Sequence, residues 1–245
     1  MKKLIISIIF FLLIIGVNGQ ILNTASFYVA QPAEDGGFPV INDSITGFSN
    51  GSVQNRSITL NSGIQVGELL LVLFYHDSSS ETATINTGVS GNNWNIEYSN
   101  YDRQGTTMVI WKIAEGSDTL RMTTSGFEKS NWASFRITGY NASNPLTVTE
   151  ANGASTNGDP PSNTGEDGES DYLWMIALRT GTGTIVASDR DGNFSTLTTS
   201  NPADASNEGL SYATRKYNIS TAYDPAAFTS SYGDWGAQTI IINPN

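Results

Sequence analysis

Apolar positions along the chain come in short runs at strand spacing. No window places apolar residues at i, i+3, i+4 and i+7 with caps at both ends, so amphipathic helices are not expected. Gly67-Glu68 opens an unbroken apolar run over residues 69–75, closed by Asp77-Ser78-Ser79-Ser80. A run of that length between turn residues predicts a central strand buried on both faces. Residues 106–113, 172–178 and 238–243 predict three more, the last stopped by Pro244.

Other segments alternate, which predicts one wet face. Over residues 132–140, Ala133, Phe135 and Ile137 point one way, while Trp132, Ser134, Arg136, Thr138 and Tyr140 point the other. Residues 210–217, 56–60, 94–98 and 119–123 also read as extended. Turn residues separate them: Asn61-Ser62-Gly63, Gly91-Asn92-Asn93, Gly116-Ser117-Asp118 and Asp191-Gly192-Asn193. Roughly nine to eleven strands at this spacing predict an all-β fold, an antiparallel two-sheet β-sandwich of jelly-roll-like type. The polar stretch 152–170 reads as a long exposed crossover loop, and no internal repeat stands out. Asn131-Trp132-Ala133 and Asp234-Trp235-Gly236 are locally alike, as two comparable strand starts.

The N-terminus changes the domain picture. Lys2-Lys3, an apolar core over residues 4–15 and Gly16-Val17-Asn18-Gly19 have the layout of a secretory signal peptide. The core is shorter than the roughly 20 residues of a spanning helix. The expected organisation is a signal peptide over 1–19, an N-terminal strand and arm over 20–47, and a sandwich domain over 48–245. The expected product is secreted, extracellular or held at the cell surface, with no membrane insertion after signal removal.

Charge and composition exclude several classes. Twelve basic residues against 23 acidic give −11, and loss of Lys2 and Lys3 makes this −13. A duplex nucleic-acid binder needs a basic face, so that partner is excluded. The absence of Cys excludes disulfides, thiolate zinc and a cysteine nucleophile. The single His, His76, excludes metal sites that need two imidazoles and limits any Ser–His–acid triad to itself; at a strand-to-loop junction it reads as a surface imidazole. Glycoside hydrolysis needs two carboxylates across a cleft, yet the acidic pairs here fall in loops and the central strands carry none in their interiors.

Two ligand chemistries remain. Asp189, Asp191 and Asn193 alternate around Gly192, a partial match to an oxygen-rich Ca2+ loop and equally a plain hairpin turn. No other cofactor is expected. The outward set Trp132, Arg136 and Tyr140 offers a shelf for sugar rings, with Trp132 and Arg136 about 13 Å apart along the strand. Trp94, Tyr98, Tyr101 and Trp235 add loop aromatics, whereas Trp111 and Trp174 read as core. Trp132 reads equally as core.

The order of motifs carries a resemblance. Ser62-Gly63-Ile64-Gln65-Val66-Gly67-Glu68-Leu69-Leu70-Leu71-Val72 is followed by Trp111-Lys112-Ile113-Ala114-Glu115-Gly116 and Trp132-Ala133-Ser134-Phe135-Arg136-Ile137-Thr138-Gly139. Asp159-Pro160-Pro161, Asp171-Tyr172-Leu173-Trp174, Asp224-Pro225-Ala226-Ala227-Phe228-Thr229 and Trp235-Gly236-Ala237-Gln238-Thr239-Ile240 come next. Over residues 57–244 this resembles a β-rich module of bacteriophage virion proteins, tail-associated or otherwise structural, and of uncharacterised bacterial proteins. The resemblance implies a non-enzymatic surface or particle component whose partner is a glycan or a cell-surface or virion protein. It assigns no functional residues. The export signal departs from the virion pattern and points to a secreted relative. The expected function is therefore a non-catalytic module for surface attachment or glycan binding, with a secreted carbohydrate-active hydrolase or lyase of the same fold as the alternative.

Overall fold

The computed structural model describes residues 37–51, 54–77, 82–86, 93–102, 105–127, 129–180, 185–186, 194–195, 198–200, 209–230 and 233–245. Among them there are strands and turns but no helix. The first eight strands are β1 (Val40–Ser49), β2 (Asn55–Ile58), β3 (Leu69–Asp77), β4 (Ala83–Ile85), β5 (Asn95–Asp102), β6 (Gly105–Ile113), β7 (Leu120–Thr124) and β8 (Ser130–Thr138). The next eight are β9 (Leu146–Gly153), β10 (Asn157–Gly158), β11 (Ser170–Thr180), β12 (Ile185–Val186), β13 (Thr198–Ser200), β14 (Gly209–Ile219), β15 (Phe228–Ser230) and β16 (Trp235–Ile242). The continuous apolar runs became the central strands β3, β6, β11 and β16. The count exceeds nine to eleven because pieces of two to four residues, such as β4, β10 and β12, pair as well.

The halves duplicate each other in topology. The first builds a five-stranded sheet β1-β8-β3-β6-β5 and a three-stranded sheet β2-β7-β4. The second builds β9-β16-β11-β14-β13 and β10-β15-β12, the same orders with eight added to every label. Orders 1-8-3-6 and 2-7-4 are those of a jelly roll whose fifth strand has moved to the edge of the large sheet. The expectation of no internal repeat is thus corrected: the repeat lies in strand order and not in an evident sequence period. Segment 152–170 also differs from a free crossover loop. It holds β10, Asn163 bridges to Tyr223, and Thr239 Oγ1 donates to Pro161 O at 2.6 Å.

Packing makes four layers. The two large sheets meet through alternate residues, Leu69, Leu71, Leu73, Phe135 and Ile137 against Leu173, Met175, Leu210, Ile240 and Ile242. The other face of the first large sheet, with Leu70, Val72, Phe74, Met108 and Ile110, is covered by Ile58, Ala83, Leu120 and Met122 of its small sheet. The other face of the second, with Trp174, Ile176, Ala213 and Ile241, is covered by Phe194 and Phe228. Both faces of each central strand are therefore dry, as their unbroken apolar runs demand. The fifth strand of each half closes onto the first strand of the other: Ser200 Oγ donates to Gly47 O at 3.0 Å, and Asn100 Nδ2 to Glu150 Oε1 at 2.6 Å. Arg179 lies over the Tyr75 ring, 5.2 Å from its centroid, where the two central strands face each other.

Candidate ligand-binding surfaces

The aromatic shelf expected on β8 does not form. Trp132 is 5 % exposed, packed into the cluster of Phe74 and Met108, because the small sheet of the first half covers this face. Trp94 is buried beside it and donates Nε1–H to Thr119 O at 2.7 Å. Tyr140 is buried and donates to Gly67 O at 2.7 Å; burial, aided by the charge of Glu68, raises its pKa. Trp235 is buried in the second half, its Nε1 3.2 Å from Ser155 Oγ. These four rings serve packing, and Trp235 shares no surface with the rest. Trp174 is core as expected, while Trp111 is half-buried with Nε1–H on Glu97 Oε2 at 3.2 Å.

Arg136 is held by Glu68 in a bidentate pair, Nε to Oε2 at 2.8 Å and Nη2 to Oε1 at 2.9 Å, and its Nη1 donates to Ser62 O. Glu68 also accepts from Asn42 Nδ2 and from the Gln65 backbone N–H. Burial pushes the Glu68 carboxyl up, but these donors outweigh it and hold the pKa below its usual value. The pair clips the turn 61–67 over β8 beside Arg136, while the small sheet covers Trp132, so the face is only partly exposed, at Arg136 and Thr138.

His76 corrects another expectation. It is fully buried, not a surface imidazole; its Nδ1 faces Lys129 O at 3.2 Å and Arg56 Nη1 at 3.4 Å. Burial, reinforced by the Arg56 charge and opposed by the Lys129 carbonyl, lowers its pKa to about 4. The calcium residues Asp189, Asp191 and Asn193 lie outside the described residues, as do residues 1–36 with the signal segment. Among the described residues no three His, Asp or Glu side chains gather as a metal site.

Two surfaces remain. The first is a groove of about 550 Å3 floored by Ile58, Leu60, Ile64 and Leu120 and edged by Asp118 and Arg121. Lys112 Nζ ties Asp118 Oδ1 at 2.8 Å to Glu115 Oε2 at 3.0 Å. The Glu115 and Gly116 backbone N–H groups also donate to Asp118 Oδ2, both at 2.9 Å. Two carboxylates thus converge here, as caps of a turn and partners of a cation. Burial pulls the Lys112 pKa down, but the hydrogen bonds it donates to Asp118 and Glu115 leave it raised.

The second lies on the outer face of the second half. Arg215 on β14 stacks on Tyr217, its guanidinium carbon 3.6 Å from the ring centroid, and lies 5.0 Å from that of Tyr223. Tyr223 meets Tyr217 edge-on at 5.4 Å and rests on buried Trp174 at 5.5 Å. All three residues are half-exposed: Arg215 and Tyr217 lie on β14, and Tyr223 on the segment that follows it, its ring also stacked on Phe194 at 6.4 Å, so they form a partly exposed aromatic and cationic patch. Sequence reasoning passed over them. Arg215 and Tyr217 do share a face of a segment read as extended, but the return of Tyr223 depends on its bridge to Asn163. No family model, curated protein or solved structure matches the chain.

Proposed function

We propose that this chain is a non-catalytic, exported β-sandwich module that attaches to surfaces by binding glycans. The observation that carries the proposal is the half-exposed shelf of Arg215, Tyr217 and Tyr223 on an otherwise dry, four-layered framework. Sugar binding needs ring faces for C–H stacking and a polar group for hydroxyls, held without much side-chain freedom. Tyr217 on the paired strand β14, edge-on to Tyr223, supplies the rings, and Arg215 the polar group. The signal-like N-terminus supports the exported setting, and the motif resemblance supports a structural role, either in a secreted protein or on a virion.

The runner-up is a secreted carbohydrate-active enzyme, whose chemistry would sit in the groove beside Asp118. Both nearby carboxylates are bound to Lys112, and Asp118 also accepts from the turn backbone, so both are engaged as structural partners. A glycan array read beside a polysaccharide-turnover assay separates the two. Array binding without turnover is expected; turnover by the pure protein, or an empty array, overturns the proposal.

A further inference from the structure

Lys112 on β6 is buried, and it is paired with Leu70 on the face that Leu70, Ile110 and Trp94 make apolar. The topology itself does not call for a cation there. Trp132 aligns through Phe74 with Met108, and Trp235 through Thr180 with Gly209. Four residues further along β6 stands Lys112, and four further along β14 stands the wholly buried Ala213. An ammonium taken out of water is costly unless it is paired. Lys112 Nζ meets three oxygens: Asn93 Oδ1 at 2.7 Å, Asp118 Oδ1 at 2.8 Å and Glu115 Oε2 at 3.0 Å. Asn93 lies just before β5, the edge strand of the large sheet, whose Asn95 pairs with Trp111 of β6. The Asp118 side chain is wholly shielded, with Oδ2 fixed by the backbone N–H groups of Glu115 and Gly116, whereas Asn93 and Glu115 reach the surface. An amine, a carboxamide and a shielded carboxylate thus stand within hydrogen-bond reach of one another.

We propose that Lys112 and Asn93 join in an autocatalytic intramolecular isopeptide bond, Nζ to Cγ, with Asp118 as the acid–base group. The inference is independent of the glycan reading. A carbonyl bond is about 1.23 Å long, so Asn93 Cγ lies within about 4 Å of Nζ, close to the roughly 3–3.5 Å of a near-attack geometry. A small rotation of the Asn93 side chain closes the difference. The ammonium first passes a proton to Asp118 Oδ1, which turns a buried ion pair into a neutral pair and exposes the nitrogen lone pair. Nζ attacks Cγ, and the carbonyl electrons move onto Oδ1. The Asp118 carboxyl then protonates Nδ2 and takes a second proton from Nζ. The Cγ–Nδ2 bond breaks, ammonia leaves on the exposed side of Asn93, and it carries off that proton as ammonium. Asp118 ends ionised as it began. The step needs no oxidant, metal or second substrate. It ties the entry of edge strand β5 to β6 in a chain that has no Cys, and so constrains the unfolded chain as a disulfide does.

The test is a tryptic peptide map of the purified protein, read beside its intact mass. The expected mass is one ammonia below that of the unlinked chain. The expected map contains a branched species in which residues 57–103 are joined to 104–121 with Lys112 uncut, and fragmentation puts the junction at Asn93 and Lys112. The map decides, because cyclisation of an N-terminal glutamine also releases ammonia. Asn93→Ala removes the acceptor at an exposed position, and Asp118→Asn keeps the side-chain shape without the proton acceptor. Neither variant, with folding checked by its thermal transition, is expected to give the branched peptide. If Asp118→Asn does not fold, the wild-type and Asn93→Ala maps decide. Complete cleavage after Lys112 in the folded wild type overturns the bond. A branched peptide in Asn93→Ala overturns the assignment of Asn93, and one in folded Asp118→Asn overturns the role of Asp118.

Discussion

Gly47 on β1 is paired directly with Trp132 on β8, and the indole lies so close over the glycine that a Cβ there would come within 2.4 Å of Cζ2. The same strand pair of the second half repeats the relationship. Gly153 on β9 is paired with Trp235 on β16, with a Cβ approach of 2.6 Å to Cζ2. Glycine is thus required opposite each tryptophan for space. Gly47→Ala and Gly153→Ala are each expected to destabilise the fold by about 1–3 kcal/mol through overpacking. Denaturant midpoints check this, with the slope unchanged. Midpoints equal to wild type would show that the indoles move aside freely.

Trp132 gives the complementary experiment. Its burial among Phe74, Met108 and Leu70 predicts a loss of about 3–5 kcal/mol for Trp132→Ala. The loss appears in the unfolding transition with no glycan present. A stable Trp132→Ala variant that lost only sugar binding would restore this ring as a platform.

The two carboxylate environments on the first half differ in depth, and so will their variants. Glu68→Ala leaves Arg136 without its bidentate partner where both are largely buried, and about 3–5 kcal/mol is expected. Glu115, with its side chain 61 % exposed, contributes little to the Lys112 pair, and Glu115→Ala is expected to stay within about 0.5 kcal/mol. Thermal unfolding of the two variants side by side reads the difference.

The pH dependence of stability contains two opposed slopes. His76 has a folded pKa of about 4 against 6.5 unfolded, so the unfolded chain binds its proton first and stability is lost as pH falls from 6.5 towards 4. Burial raises Glu150 to about 7 from 4.5, against the pull of a hydrogen bond from Asn152. Its unfolded form therefore loses the proton first, and stability is lost as pH rises from 4.5 towards 7. Between pH 4.5 and 6.5 the two offset each other. Glu150→Gln removes one slope and keeps the amide oxygen for Asn100. Its stability relative to wild type is expected to increase with pH across this window. A constant difference would show that Glu150 does not titrate in the folded chain as its burial implies.

Much of the fold was legible because burial on both faces leaves an unbroken apolar run. β3, β6, β11 and β16 were all anticipated from such runs. Of the small sheets, β2 and β7 match residues 56–60 and 119–123, which read as extended, whereas β4, β10, β12 and β15 were not anticipated, since strands as short as Asn157–Gly158 carry no periodicity. The duplication was hidden for a physical reason: strand order is fixed by which runs pair, and many sequences satisfy one pairing scheme. Residues 132–140 show where alternation misleads. Ser134, Arg136 and Tyr140 look like a wet face, yet each is tied to the turn above it, through Asn61, Glu68 and Gly67. Trp132 on the same strand is covered by the small sheet, whose placement depends on the fold. Arg215 and Tyr217 were visible as alternating positions, but their contact with Tyr223 is set by tertiary structure alone.

Chemical-shift mapping by NMR, with labelled protein titrated with a glycan bound on the array, tests the placement of the binding face most directly. Shifts concentrated at Arg215, Tyr217 and Tyr223, with residues 130–140 unmoved, are predicted. Shifts centred on Trp132 and Arg136, or on the groove beside Asp118, would contradict it.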